Sequence, residues 1–158
     1  MSYKEFSYYY DYFNYNADYD VLADRIHGWA SAEKMDGKIA CDLGCGTGSM
    51  SVKMAEKGFE VIGVDSSVGM LNAAQQKMFE CGQHLLLLNQ PMQDIDLYGT
   101  VDAAICSLDG VNYMESETLR ECFRRLNLFI RPGGLFIFDI RTPEILKSLD
   151  GQIFVDEK

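Results

Sequence analysis

The sequence predicts an α/β fold, a doubly wound and mostly parallel sheet with helices on both faces. Residues 39–43 form a short, mostly apolar run, which is typical of a strand buried in the middle of a parallel sheet. A glycine-rich loop and a helical segment, residues 49–57, follow it directly. Further strand-like and helix-like segments alternate as far as residue 149. Such alternation indicates parallel strands joined by right-handed crossovers.

Length, composition and charge indicate one globular domain. The 158 residues are 47% hydrophobic and 24% charged, which is ordinary for a domain with a substantial core. The formal net charge of −10 argues against broad affinity for nucleic-acid phosphates or anionic membranes. No apolar run approaches the length of a membrane-spanning helix. The five cysteines include no C-x-x-C pair, so we expect reduced, structural cysteines, a cytoplasmic protein and no metal site.

The N-terminal segment, residues 1–35, is rich in aromatic side chains, most of them tyrosines between positions 3 and 19. So much aromatic surface favours burial over disorder. Residues 18–32 have the spacing of a helix with one apolar face. We therefore expect a partly helical segment that either packs as an arm or covers a ligand pocket as a lid. Residues 36–158 would form the main domain.

The elements after the first helix are separated by short connections. The later strands are predicted at residues 59–65, 84–88, 101–108 and 135–140. The later helices are predicted at residues 68–81, 115–130 and 143–149. Arg131-Pro132-Gly133-Gly134 is expected to end the helix before the fifth strand, because proline and glycine interrupt helices.

Glycines and polar residues follow the predicted strands at the edge where open α/β sheets bind ligands. The glycine loop, residues 44–48, follows the first strand, and Asp65 ends the second. Asp94 precedes the fourth strand, and residues 107–113 follow it. A carboxylate at the position of Asp65 suits a ribose, since it can accept hydrogen bonds from both hydroxyls. The sequence therefore predicts a nucleotide-like ligand.

Two ligands compete for this edge, a nicotinamide dinucleotide and S-adenosylmethionine. A dinucleotide favours G-x-G-x-x-G, because its pyrophosphate binds close to the helix N-terminus. Here the pattern is G-x-G-x-G, and Ser49 stands where the third glycine is expected. Asp42 would repel a pyrophosphate but attract the sulfonium or ammonium of S-adenosylmethionine. An NAD-binding oxidoreductase is therefore the less favoured alternative.

The motifs resemble those of the class I S-adenosylmethionine-dependent methyltransferases, in a branch of bacterial enzymes that act on small molecules. The resemblance covers about residues 36–140, in the family's order and spacing. It is carried by Asp42-Leu43-Gly44-Cys45-Gly46-Thr47-Gly48, Val64-Asp65-Ser66-Ser67, Gln93-Asp94-Ile95, Leu108-Asp109-Gly110-Val111-Asn112-Tyr113 and Arg131-Pro132-Gly133-Gly134. It implies a Rossmann-like methyltransferase core with S-adenosylmethionine as cofactor and strand order 3-2-1-4-5.

The resemblance implies a cofactor-binding role for Asp42, Gly44, Cys45, Gly46, Gly48, Asp65, Ser66, Met70, Gln93, Asp94, Ile95 and Ser107. The glycine loop would surround the methionine part, and Asp65 would bind the ribose. Ser66 and Met70 would flank the adenine, whose amino group Asp94 would bind. Structural alternatives stay open: Asp65 as a helix N-cap, Asp94 as a loop-capping residue and Met70 as a core residue.

Methyl transfer from a sulfonium requires no obligatory acid or base, because the leaving group is already activated. No catalytic residue is therefore identified. Asp109, Tyr113, Tyr10 and Arg141 are candidates for acceptor binding or proton removal. The segment after the fourth strand lacks the Asn/Asp-Pro-Pro-Tyr motif of family members that methylate DNA bases. We expect a small-molecule acceptor, while a protein or RNA acceptor stays open.

The chain also departs from the resemblance. Members of the family have seven strands in the order 3-2-1-4-5-7-6, whereas no sixth or seventh strand is recognised after the fifth. We therefore expect a chain truncated at its C-terminal edge, with an exposed fifth strand that favours a homodimer. The alternative function is a module that binds S-adenosylmethionine without turnover.

Overall fold

The structure, a computed structural model, describes residues 9–12, 14, 17–33 and 38–149, apart from the side chains of residues 146, 148 and 149. Its sheet contains β1 (Ile39–Leu43), β2 (Glu60–Asp65), β3 (Leu85–Asn89), β4 (Val101–Cys106) and β5 (Ile130–Phe138). The strands lie in the order β3-β2-β1-β4-β5, and every neighbouring pair is parallel. The predicted fold class and strand order are therefore confirmed.

Helices cover both faces of the sheet. They are α1 (Tyr19–Ala32), α2 (Ser49–Glu56), α3 (Val68–Glu80), α4 (Ser116–Phe129) and α5 (Pro143–Leu149). Residues 9–12 are also helical, and 3₁₀ turns occur at Met92–Asp94 and Gly110–Tyr113. Residues 1–8, 13, 15, 16, 34 and 35 of the predicted N-terminal segment lie outside the described residues. Within the described ranges, no helix is long and apolar enough to cross a lipid bilayer.

Among the described residues, the core consists of two hydrophobic clusters, one on each face of the sheet. Ala40 belongs to the cluster under α1 and α2, and its neighbour Cys41 belongs to the cluster under α4. This alternation is expected because successive strand residues point to opposite faces. All five cysteines are free thiols in the structure. The expectation that all are structural is wrong for Cys81, which is exposed at the end of α3.

The start of β5 differs from the prediction. α4 ends at Phe129, within one residue of its predicted end, but β5 begins at Ile130, ahead of Arg131-Pro132-Gly133-Gly134, and not at the predicted residue 135. They lie within β5, where the pairing with β4 shifts between Val101 and Ala103. Residues 131–134 therefore form a bulge opposite a single residue, Asp102.

The bulge depends on a buried carboxylate in the neighbouring strand. The side chain of Asp102 forms an ion pair with Arg131 through Oδ1. Its Oδ2 accepts a hydrogen bond of 2.9 Å from the backbone N–H of Ile39. A Cβ at Gly134 would lie 2.7 Å from the carbonyl oxygen of Asp102, so only glycine fits there. Asp102 thus joins β1, β4 and β5 at the amino edge of the sheet.

Candidate functional site

The glycine loop, residues 44–48, connects β1 to α2 at the carboxyl edge of the sheet. Its three glycines have φ angles of +69°, +54° and +76° in chain order. Glycine adopts this left-handed region without steric cost. The N–H groups of Gly44 and Cys45 donate to the carbonyl oxygen of Val64, at 2.8 and 3.0 Å. The loop therefore folds over the end of β2, towards Asp65.

Asp65, the last residue of β2, fixes the loop through its carboxylate. Its Oδ2 accepts from the N–H of Gly46 at 2.9 Å, and its Oδ1 accepts from the N–H of Ser67 at 2.8 Å. The N-cap of α3 is Ser67, whose hydroxyl accepts from the N–H of Met70 at 3.3 Å. An ionised carboxylate has about four acceptor sites. Asp65 therefore orders the loop and retains acceptor capacity for a ligand.

Two adjoining cavities open at this edge. The first, of about 250 Å³, is lined by Tyr10, Gly44, Gly46, Asp65, Ser66, Ser67, Met70, Met92, Ser107, Leu108, Gly110 and Tyr113. The second, of about 420 Å³, shares part of this lining and is lined by Gly44, Asp65, Ser66, Pro91, Met92, Gln93, Tyr113, Met114, Glu115 and Thr118. The structure thus brings seven of the predicted cofactor residues to one place: Gly44, Gly46, Asp65, Ser66, Met70, Gln93 and Ser107. Cys45 lines a smaller cavity of about 20 Å³, which is also lined by Tyr10 and Tyr19.

Asp42 lies beneath the loop and lines none of these cavities. Its side chain is 1% exposed, and its Oδ2 accepts a hydrogen bond of 2.5 Å from the hydroxyl of Ser51. Burial raises the pKa of Asp42 to about 6, and the Ser51 hydroxyl partly opposes this effect. In the structure Asp42 joins β1 to α2. Its predicted contact with the cofactor stays a prediction.

Three other predicted residues also lie away from the two larger cavities. A Cβ at Gly48 would lie 2.9 Å from the Cβ of Ala74, so Gly48 allows α2 and α3 to pack closely. The side chain of Ile95 is fully buried in the core, whereas Asp94 is exposed in the 3₁₀ turn before it. The predicted contacts of these residues with a cofactor stay predictions.

A strained turn follows β4. Leu108 and Asp109 are consecutive non-glycine residues with φ angles of +56° and +62°. Such conformations are costly and persist where the surroundings impose them. Here Asp139 accepts a hydrogen bond of 2.9 Å from the N–H of Asp109, and Arg141 donates to the Asp109 carboxylate at 2.5 Å. A third cavity, of about 410 Å³, lies beside this turn and is lined by Asp109, Tyr113 and Arg141.

The helical turn at residues 9–12 covers the glycine loop. Tyr10 lines the 250 Å³ cavity, and a ring carbon of Tyr10 lies 3.7 Å from the position of a Cβ on Gly46. Burial, with the nearby Tyr113 hydroxyl and Asp65 carboxylate, raises the pKa of Tyr10 above its usual value. Sequence reasoning missed Asp11, which hydrogen-bonds to side chains of the loop and of α3. Its signal was that it is the only charged residue among residues 6–17.

Comparisons with known proteins agree with this architecture. A family described as "Methyltransferase domain" matches residues 40–134. YqeM of Bacillus subtilis (strain 168), a predicted methyltransferase, is 34% identical over 160 residues, which cover 99% of this chain and 63% of YqeM. The magnesium-protoporphyrin O-methyltransferase of Synechocystis sp. (strain ATCC 27184 / PCC 6803 / Kazusa) is 40% identical over 99 residues, which cover 60% of this chain and 42% of that enzyme.

Solved structures give the same result. An S-adenosylmethionine-dependent methyltransferase from Clostridium acetobutylicum ATCC 824 superposes with a TM-score of 0.85 at 28% identity, covering 98% of this chain and 65% of that protein. CalS10, an S-adenosylmethionine-bound amino pentose methyltransferase from Micromonospora echinaspora, superposes with a TM-score of 0.74 at 25% identity, covering 87% of this chain and 57% of CalS10. The chain thus spans about three fifths of the length of such relatives. It belongs to the methyltransferase domain family, and its fold is that of the class I S-adenosylmethionine-dependent methyltransferases.

Proposed function

We propose that this chain binds S-adenosylmethionine at the carboxyl edge of its sheet and promotes transfer of the methyl group to a small-molecule acceptor. The observation that carries the proposal is the position of Asp65. Its carboxylate lines a cavity, retains unused acceptor sites, and faces a loop whose glycines expose the backbone. The CalS10 relative, with the same fold, contains S-adenosylmethionine.

The residues around the cavity fit the chemistry of this cofactor. Asp65 would accept hydrogen bonds from the ribose hydroxyls, which are charge-assisted and therefore strong. Met70 and Met92 supply an apolar wall suited to the adenine ring. A Cβ at Gly44 would lie 3.3 Å from the Sδ of Met92, so glycine keeps this part of the cavity open. The acidic groups at this edge favour a ligand with a net positive charge.

When bound, S-adenosylmethionine supplies a methyl group on a sulfonium sulfur, which needs no further activation. The contribution of the protein is then to orient the two reactants and to exclude water. Tyr10 and Tyr113 border the 250 Å³ cavity and would limit access of solvent. The adjoining 410 Å³ cavity, with Asp109, Asn112, Tyr113 and Arg141, would hold the acceptor through polar contacts. Asp109 would take a proton from an acceptor that needs to lose one.

The acceptor is proposed to be a small molecule because the chain is acidic and a relative acts on one. The net charge of −10 disfavours binding to a nucleic-acid backbone. The CalS10 relative is an amino pentose methyltransferase. The polar side chains around the 410 Å³ cavity suit an acceptor that forms hydrogen bonds.

Isothermal titration of the chain with S-adenosylhomocysteine and S-adenosylmethionine tests the cofactor site. Asp65→Asn keeps the size of the side chain but removes its charge. We expect the Kd for S-adenosylhomocysteine to rise by about 30-fold, since charge-assisted hydrogen bonds are lost. The matched control is Asp96→Asn, because Asp96 is exposed and lines neither cavity; its Kd should equal that of the wild type. An unchanged Kd in Asp65→Asn would place the ribose elsewhere.

Turnover is tested separately by release of S-adenosylhomocysteine in the presence of a panel of small amines, phenols and carboxylic acids. Methylation of one panel member supports the full proposal. Cofactor binding without any turnover favours the alternative, a binding module. Titration with NADH tests the oxidoreductase alternative, which requires a change in NADH fluorescence.

A further inference from the structure

Asp11, within residues 9–12, hydrogen-bonds to three polar side chains of the glycine loop, α2 and α3. We call the helical turn at residues 9–12 the lid and the network of Asp11, Thr47, Ser49 and Lys77 the latch. Thr47 and Ser49 donate to Oδ1 of Asp11, at 2.5 and 3.1 Å. Lys77 donates to Oδ2 of Asp11 at 2.6 Å, to the hydroxyl of Ser49 at 2.5 Å and to that of Thr47 at 3.1 Å. The latch thus joins three separate parts of the chain.

The latch is a connected network rather than an isolated surface ion pair. The Lys77 side chain is 23% exposed and the Asp11 side chain is 46% exposed. Burial raises the pKa of Asp11, but hydrogen bonds from Lys77 and Thr47 outweigh it, so the pKa lies below its usual value. Isolated exposed pairs contribute little, whereas networks with several charge-assisted hydrogen bonds contribute more. The latch therefore has the chemistry to hold the lid closed.

The lid places one of its residues over the proposed cofactor cavity. Tyr10 lines the 250 Å³ cavity together with Asp65, and it also lines the 20 Å³ cavity together with Cys45. Tyr9 and Tyr12, also in the lid, are about half exposed. Asp11 and Lys77 line neither the 250 Å³ nor the 420 Å³ cavity. Changing Asp11 or Lys77 therefore removes no side chain that lines either of those cavities.

We propose that Asp11 and Lys77 are positioning residues that keep the lid closed over the cofactor cavity and so set how long the ligand stays bound. The inference rests on the proposed function, because the ligand is the one assigned to that cavity. A ligand under a closed lid leaves only through the open state, so its dissociation rate follows the population of that state. Breaking the latch raises this population.

The test is the dissociation rate of S-adenosylhomocysteine, measured by rapid displacement with excess S-adenosylmethionine. Lys77→Met and Asp11→Asn should each raise the dissociation rate by about 10-fold, since each removes the charged contact. Lys77→Arg keeps the charge and should stay within about 2-fold of the wild type. The double variant should raise the rate by less than the product of the two single effects, because the two variants share the Asp11–Lys77 contact. A rate equal to the wild type in folded Lys77→Met overturns the proposal.

The matched control is Lys53→Met on α2. Lys53 also pairs with two carboxylates, those of Asp20 at 2.9 Å and Glu56 at 3.2 Å, and its side chain is 31% exposed. It does not contact the lid in any of these pairs, so its variant should dissociate at the wild-type rate. Faster dissociation in both Lys77→Met and Lys53→Met would show a general effect of charge and would overturn the proposal.

A second measurement requires no variant. Salt weakens partly exposed ionic contacts, so the wild-type dissociation rate should rise several-fold between about 50 mM and about 1 M NaCl. A rate independent of salt overturns the proposal even where variants fail to fold. Failure of the proposed function is recognised differently, as absence of S-adenosylhomocysteine binding by the folded wild type, and the latch proposal then falls with it.

Discussion

Two aspartates near the glycine loop differ in role because their surroundings differ. Asp65 ends β2 at a cavity and accepts two backbone N–H groups. Asp42 lies under the loop, almost fully buried, with Ser51 as its hydrogen-bond partner. Residue type and spacing alone made Asp65 a candidate for contact with the ribose and Asp42 a candidate for contact with the sulfonium or ammonium of the cofactor. Burial separates a residue that faces the cavity from one that supports it.

The raised pKa of Asp42 predicts a specific dependence of stability on pH. Its pKa is about 6 in the folded chain and about 3.9 when unfolded. The folded state therefore binds more protons between these values, and stability falls as pH rises through this window. The fall is on the order of 3 kcal/mol, at about 1.4 kcal/mol for each pKa unit. The stability of Asp42→Asn should not fall in this way, because its side chain carries no titrating proton.

Urea unfolding of the wild type and of Asp42→Asn at pH values from about 4 to about 7.5 measures this effect. The stability of the variant relative to the wild type should increase across the series and level off above pH 6. Asp96→Asn, which changes an exposed carboxylate, serves as the control and should parallel the wild type. Parallel curves for Asp42→Asn would contradict the prediction.

At the scale of elements, close packing of α2 against α3 requires the last glycine of the loop. Gly48 has a φ of +76°, and a Cβ there would lie 2.9 Å from the Cβ and 3.3 Å from the Cα of Ala74. Gly82 at the end of α3 has a similar φ of +64° but no heavy atom within 4 Å of its Cβ position. The two glycines share a conformation and differ only in their contacts.

Gly48→Ala should therefore destabilise the fold by about 3 kcal/mol, because left-handed strain adds to overpacking. Gly82→Ala should lower the free energy of unfolding by only about 1 kcal/mol, because it adds left-handed backbone strain but no overpacking. The measurement is the free energy of unfolding in urea. Equal losses in the two variants would mean that α3 moves away from the loop at no cost.

At the scale of the whole molecule, the described sheet has β5 at one edge. Phe123 of α4 and Phe136 and Phe138 of β5 form an aromatic cluster there, with ring centroids 4.9 to 5.9 Å apart. Phe138 is 44% exposed. An edge strand with exposed aromatic side chains favours pairing with another strand. The homodimer predicted from the sequence thus has a defined surface in the structure and stays a prediction.

Light scattering after size-exclusion chromatography tests the homodimer. The mass should rise from 17.9 kDa towards twice that value as concentration increases. Phe138→Lys should keep the chain monomeric, because charge on an edge strand opposes pairing. Phe79→Lys is the control, since Phe79 is an even more exposed phenylalanine on α3, away from this edge. A wild type that stays monomeric at every concentration would contradict the prediction.

The sequence by itself determined the fold class, the strand order implied by the resemblance, and most element boundaries. These features depend on local physics: the periodicity of apolar residues distinguishes strands from helices, and glycine alone takes left-handed turns without strain. The glycine loop and Asp65 were recognisable for the same reason, as they directly follow buried strands. The start of β5 at Ile130 was not, because Pro132 and the glycines suit a bulge within a strand as well as a helix end.

Only the tertiary structure decided which distant residues meet. The bulge of β5 depends on Asp102, which lies 29 residues from Arg131, and the latch joins Lys77 to Asp11 across 66 residues. The burial of Asp42 likewise depends on α2 packing over β1. Such contacts result from the arrangement of helices around the sheet, and no local pattern encodes their distances. For that reason the sequence could indicate a lid but could not identify the residues that hold it.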